Sequence, residues 1–202
     1  MQPDDAADRA TPGGPGCDLP RFAVVDIETS GLSLRRHRIL QVAVVTVEHE
    51  RVVDAWSSLV ALDWPFQRVG PRRVHGITRR ALRRAPGRRA VLTEFARRLE
   101  GCVFTAHNVS FDWPFIERAA ARSGVTMPAT ALLCTLRLSR RLDPERVLSH
   151  RLADVCDRYG VTNARPHDAL SDAMATAEVL PHLLRAHQVC DPDRLAEFYE
   201  RR

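Results

Sequence analysis

The stretch Phe22-Ala23-Val24-Val25-Asp26-Ile27-Glu28-Thr29-Ser30-Gly31-Leu32 changes character half-way along. Its first four residues are apolar and read as a buried strand, and Thr29-Ser30-Gly31 is a turn signal that ends it. Side chains two apart on a strand point to the same face, so Asp26 and Glu28 project together from the end of a hydrophobic element. Like charges held that close repel. Two remedies are available: a raised pKa on one carboxyl, or a bound cation, for which a hard divalent ion with oxygen ligands is suited. A lone acid-x-acid pair is also what two solvated charges at a strand end look like, so the choice rests on acids further along the chain.

At 202 residues and 22.7 kDa, with 45% apolar and 27% charged residues, the chain fits one soluble domain able to bury a core. No apolar run approaches the ~20 residues that span a bilayer, and the acidic N-terminus has no apolar segment behind it, so the expected location is cytoplasmic. The five cysteines are widely spaced and never in a paired-ligand spacing, which predicts reduced thiols. A net charge of +5 and a pI near 9.4 permit a polyanionic partner without requiring one. All 30 basic residues are arginine, so a coding bias accounts for the count as well as selection does. The clustering is more informative, above all the arginines crowded between Arg72 and Arg89. They read equally as a solvated face or as a nucleic-acid contact.

Residues 1–20, rich in Asp, Ala, Pro and Gly, are expected to be a flexible tail, residues 21–188 a single domain, and 189–202 a short C-terminal extension. Runs over Ile39 to Val47 and Val52 to Val60 follow the first strand across tight breaks and predict an antiparallel meander. Thr78 suits the cap of a short basic helix. Val91, Leu92, Phe95, Ala96 and Leu99 keep the spacing of an amphipathic helix from Arg88 to Leu99. A fourth strand over Cys102 to Ala106 then implies a right-handed crossover and parallel pairing. Ser110 is expected to cap a helix to about Arg122, with Pro114 in its first turn. Thr130 to Cys134 reads as a fifth strand, Thr135 to Arg141 as a short helix, and Leu152 to Tyr159 as a helix closed by Gly160. Asp168 is the expected cap of a final helix through Leu184, kinked by Pro181. The predicted fold class is α/β, a mixed five-stranded sheet covered by helices.

Three elements carry acids that can converge: Asp26 and Glu28 on strand one, Asp112 after strand four, and Asp172 at the start of the last helix, with His167 just before it. Asp-Ile-Glu-Thr-Ser-Gly-Leu at 26–32, Val-His-Gly-Ile at 74–77, Ala-His-Asn-Val-Ser-Phe-Asp at 106–112 and His-Asp-Ala-Leu-Ser-Asp-Ala at 167–173 resemble, in order and spacing, the motifs of the DEDDh 3′–5′ exonucleases. That family includes the proofreading epsilon subunit of bacterial DNA polymerase III, ribonuclease T and oligoribonuclease, and the likeness covers roughly residues 21–188. Cys134 departs from the aspartate many relatives carry before Thr135-Leu136.

The resemblance implies a ribonuclease H-like fold. It further implies that Asp26, Glu28, Asp112 and Asp172 hold two divalent ions, Mg²⁺ or Mn²⁺, about 3.5–4 Å apart. His167 would then take a proton from the attacking water, a role suited to the side chain that changes charge closest to neutral pH. Thr29, Gly31, Leu32, His75, Asn108 and Phe111 would line the substrate, Leu32 by apolar contact with a terminal base; read from the residues alone, His75 and His107 are structural. The expected activity is removal of nucleoside 5′-monophosphates from single-stranded 3′ ends, DNA favoured over RNA. A polymerase-docking proofreading subunit and an oligoribonucleotide exonuclease are the alternatives, and the five filled catalytic positions argue against an inactive binding module.

Overall fold

The computed structural model describes residues 18–128 and 131–200. Five strands form one sheet in the order β3-β2-β1-β4-β5, with β1 (Arg21–Thr29) at its centre. β2 (Ile39–Glu48) pairs antiparallel with β1, and β3 (Arg51–Leu59) antiparallel with β2. The chain then makes two one-turn helices, α1 (Arg72–His75) and α2 (Arg79–Leu82), before α3 (Arg88–Leu99) carries it back across the sheet. β4 (Cys102–Ala106) accordingly lies parallel to β1 on its other edge. α4 (Val109–Ala121), β5 (Leu132–Cys134), α5 (Thr135–Arg141), α6 (Leu152–Tyr159), α7 (Ala169–Ala186) and α8 (Pro192–Ala196) complete the fold. Among the described residues no helix is long and apolar enough to cross a membrane, and the four described cysteines are free thiols.

The alternation of β1 divides the core in two. Phe22 and Val24 pack with Leu138 of α5, Val155 and Cys156 of α6, and Ala173, Leu180 and Leu183 of α7. Ala23, Val25 and Ile27 face the opposite way, onto Phe95 of α3 and Val109, Trp113 and Ile116 of α4. Each fully buried Leu or Phe contributes about 1.5–3 kcal/mol. Asp26 and Glu28 have the parity of Phe22 and Val24, so both acids emerge on the α7 side. β4 ends at Ala106, paired with Val25, which leaves the edge of β1 open beyond that point. The register of β1 against β2 slips between Glu28 and Thr29, an irregularity of the sort that re-aims side chains beside a site.

Three local expectations change. Val109 opens α4 behind Asn108, and Ser110, expected as the cap, donates instead to the Asn108 side chain at 2.8 Å. Pro114 therefore falls in the second turn, where it removes one backbone donor. β5 begins at Leu132; Thr130 lies outside the described residues, as does most of the N-terminal tail. α7 continues past Pro181 to Ala186. The C-terminal segment up to Glu200 packs onto the sheet: Asp191 caps α8, Leu195 and Phe198 enter the core, and the Glu200 amide donates to the Leu132 carbonyl at 2.8 Å.

Candidate active site

The site forms where β1 runs out from under the helices. Asp26 and Glu28 stand on the face that α7 covers, and Asp172, in the first turn of α7, meets them from above. Two contacts fix that helix end. Asp168 caps it by accepting from the Ser171 amide at 3.2 Å, and the Ala169 amide donates to Gln41 on β2, the residue opposite Glu28, at 3.4 Å. Asp112 arrives from the other side of the sheet, around the edge that β4 leaves open. It is 5% exposed, and its carboxylate accepts from the Ile27 amide, the β1 donor that β4 is too short to reach, and from its own amide.

His167 precedes the helix on an exposed loop with φ of 66°, a left-handed conformation that side chains rarely adopt. Its amide donates to Asp172 at 3.0 Å, and the Asn163 side chain donates to the other oxygen of the same carboxylate at 2.5 Å. Asn163 in turn accepts from Ser171 at 2.8 Å. One ligand atom from each of Glu28, His167 and Asp172 lies within 4.8 Å of the others.

Four carboxylates thus lie close enough for their charges to act on one another, and among the described residues none is in a salt bridge with an arginine. Every influence on Asp26 raises its pKa well above the usual range, burial first and then the charges of Asp112, Asp172 and Glu28. Burial, with Asp172 next, raises Glu28 to about 8. Burial lifts Asp112 to about 7 against its two amide donors, and lifts Asp172 against Asn163 and the His167 amide. A set of oxygen donors that repel one another, with no arginine paired to them among the described residues, fits hard divalent cations.

These carboxyls hold protons more tightly in the folded, metal-free protein than in the unfolded chain, so their contribution to stability is present at low pH and lost as pH rises through about 7 to 8. A divalent ion must displace those protons. Thermal melting with and without Mn²⁺ is expected to show a larger metal-induced stabilisation at about pH 8.5 than at about pH 6; equal shifts would contradict the site.

The expected substrate residues divide. Leu32 is 84% exposed at the tip of the turn, and Asn108 is exposed at the start of α4. Thr29 donates to the Gly31 carbonyl at 2.9 Å and shapes that turn, while Gly31, at φ of 149°, leaves no room for a Cβ beneath His37. Phe111 is half-buried against Phe115. His75 has both ring nitrogens hydrogen-bonded: Nε2 donates to the Val69 carbonyl at 3.1 Å and Nδ1 accepts from the Ile77 amide at 3.0 Å, with burial lowering its pKa. It braces the loop beside the site. His107 is likewise held between Thr135 and the His150 carbonyl. Ser139, His150 and Asp143 are hydrogen-bonded in the order of a nucleophile, base and acid, but Ser139 is fully buried, so they brace the 142–151 loop.

Gln41, Asn163 and the Ile27 amide are positioning groups that the sequence does not announce. No motif carries them, and each is defined only by what the fold sets opposite it.

The family model described as Exonuclease, of the ribonuclease T type, matches residues 23–180. The chain belongs to this exonuclease family. The PolC-type DNA polymerase III of Caldanaerobacter subterraneus subsp. tengcongensis is 32% identical over 167 residues, 83% of this chain and 12% of that protein. The 3′-5′ exonuclease DinG of Staphylococcus aureus is 27% identical over 184 residues, 90% of this chain and 20% of the relative. The chain therefore spans no more than a fifth of the length of these curated relatives. Exonuclease X, solved with 5′ overhanging duplex DNA, superposes with a TM-score of 0.65 at 26% identity, over 88% of this chain and 98% of that one. The nuclease domain of 3′hExo, a DEDDh family member bound to rAMP, gives 0.72 at 17% identity, over 85% and 94% of the two chains, a likeness of fold.

Proposed function

We propose that the protein removes nucleotides one at a time from single-stranded 3′ ends, with DNA favoured, and releases nucleoside 5′-monophosphates. The observation that supports this reading is the convergence of Asp26, Glu28, Asp112 and Asp172, whose charges act on one another, with the His167 imidazole within 4.8 Å of Glu28 and Asp172. The four carboxylates would hold Mg²⁺ or Mn²⁺. Bound there, such ions supply Lewis-acid stabilisation of the phosphoryl oxygens and lower the pKa of water.

The chain's own residues do the rest. Leu32 lies against the last base, and the turn at Thr29 to Gly31 sets where the terminal sugar stops. Asn108, exposed at the start of α4, offers its amide to a phosphate oxygen. Water attacks the last phosphorus in line, its proton passes to a ring nitrogen of His167, and the bond from phosphorus to the 3′ oxygen breaks. The leaving 3′ oxygen takes a proton from solvent water, which restores a 3′ hydroxyl on the shortened strand, ready for the next cycle. His167 returns to its neutral form by losing its proton to solvent, to which its loop is open.

A second reading, an exonuclease module working beside a polymerase, is favoured by the similarity to the PolC-type enzyme. A cytoplasmic location suits either, since the described cysteines are free. Mass analysis of the mononucleotides released from DNA and RNA of one sequence tests the leading reading. Nucleoside 5′-monophosphates released faster from DNA are expected. Nucleoside 3′-monophosphates would contradict the direction of attack, and faster release from RNA would reverse the substrate preference.

A further inference from the structure

From Trp64 to Thr93 the chain has nine arginines and no aspartate or glutamate. Composition alone does not explain how they are used. Some arginines elsewhere find carboxylates: Arg97 and Arg98 share Glu94, and Arg185 meets Glu50. Within the stretch Arg88 reaches back to Asp63, but among the described residues Arg68, Arg72 and Arg83 form no ion pair. They are exposed and line two clefts that meet at Arg79, the first running from Ser30 past Arg68 and Arg72, the second past Trp64, Phe66 and Arg83.

The first cleft begins at the catalytic turn itself. Gly70, at φ of 80°, rests on Ser30 so closely that a Cβ would lie 2.5 Å from the Ser30 carbonyl oxygen. The second cleft displays Phe66 at 89% exposure and Trp64 at 44%, unusual for aromatic rings on a soluble protein. The loop that presents them is fixed. Arg79 donates to the carbonyls of Pro65 and Gln67, the buried Gln67 side chain accepts from the Asp63 amide at 2.8 Å, and the Arg38 guanidinium sits 5.8 Å from the centre of the Trp64 ring. Exposed aromatic faces on a braced loop, interleaved with unpaired guanidinium groups, match the needs of a single strand: bases stack on the rings and phosphates meet the charges.

We propose that this surface is a second nucleic-acid subsite that holds the single strand upstream of the scissile bond, with a base stacked on Phe66 and phosphates on Arg68, Arg72 and Arg83. It rests on the exonuclease reading for the identity of the strand. The occupant is single-stranded nucleic acid because exposed aromatic rings stand among arginines and the one acid on the surface, Asp63, is already paired with Arg88; a protein partner is the competing occupant.

The test compares Phe66→Ala with the wild type on a dinucleotide and on a strand of about 15 nucleotides. KM for the long strand is expected to rise about tenfold, with kcat and the dinucleotide rates unchanged and with Phe66→Trp restoring the wild-type value. Equal losses on both lengths, or no change on either, would overturn the subsite, the second outcome leaving the surface to a protein. To separate this from a failure of the active-site reading, the same long strand is titrated against Asp26→Asn with and without Phe66→Ala in EDTA, where no turnover is needed. There too about tenfold weaker binding is expected, and Arg83→Gln is expected to reduce the salt dependence of binding by about one counterion. Unaltered affinity in the double variant overturns the proposal whether or not the wild type cleaves.

Discussion

Asp26→Asn is expected to lower the rate of hydrolysis by about a thousandfold or more while leaving the fold intact. Asp26 lies where the charges of Asp112, Asp172 and Glu28 all press on it, so it is the carboxylate whose repulsion a bound cation would relieve most. Losing its negative charge removes a ligand contribution of several kcal/mol, and each 1.36 kcal/mol is a factor of ten in rate. The same substitution relieves repulsion in the metal-free protein, so melting in EDTA is expected at an equal or higher temperature than the wild type. That combination, activity gone and stability kept, marks a carboxylate retained for function. Full activity in the variant would sink the metal assignment, and a molecule that no longer folds would make Asp26 structural.

His167→Ala is expected to reduce kcat by about 10²–10⁴-fold and to change metal affinity by no more than a few-fold. The backbone amide of His167, not its ring, holds Asp172 in place, and that hydrogen bond survives the substitution. The ring nevertheless lies within 4.8 Å of Glu28 and Asp172, near enough to be a ligand, so the two roles need separate readouts. Calorimetric titration of Mn²⁺ beside single-turnover cleavage provides them. Equal loss of metal affinity and rate would assign the imidazole as a ligand. Because the backbone there is left-handed, His167→Asn, a residue that tolerates this conformation, controls for loop strain.

Much of this architecture is legible in the residues. The alternation in Phe22 to Glu28 both predicts β1 and puts its acids on one face, and the spacing of Val91 to Leu99 predicts α3 with the bounds observed. The crossover rule then sets β4 beside β1, which lets Asp112 approach. What the sequence hides is set by tertiary geometry. Gln41 and Asn163 are polar residues without periodicity or motif, and their roles appear only once β2 and the 160–168 loop face α7. Ser110 is an ordinary capping type displaced by the earlier start that Asn108 gives α4. α8 is five residues long, too short for a periodic signal, and it is held by Leu195 in the core and by pairing of the chain's end with β5. The arginine cluster reads two ways as sequence, since a count of charges does not reveal their pairing; the fold separates Arg88, which has a carboxylate, from Arg68, Arg72 and Arg83.

The most direct measurement is digestion of 5′-labelled single-stranded DNA by the wild-type protein in Mg²⁺, in Mn²⁺ and in EDTA. A ladder shortening from the 3′ end with either metal, absent in EDTA and absent with Asp26→Asn, is the result predicted. Immediate release of the labelled 5′ nucleotide, internal cuts, or shortening that persists in EDTA would contradict a metal-dependent 3′ to 5′ exonuclease built on these four carboxylates and His167.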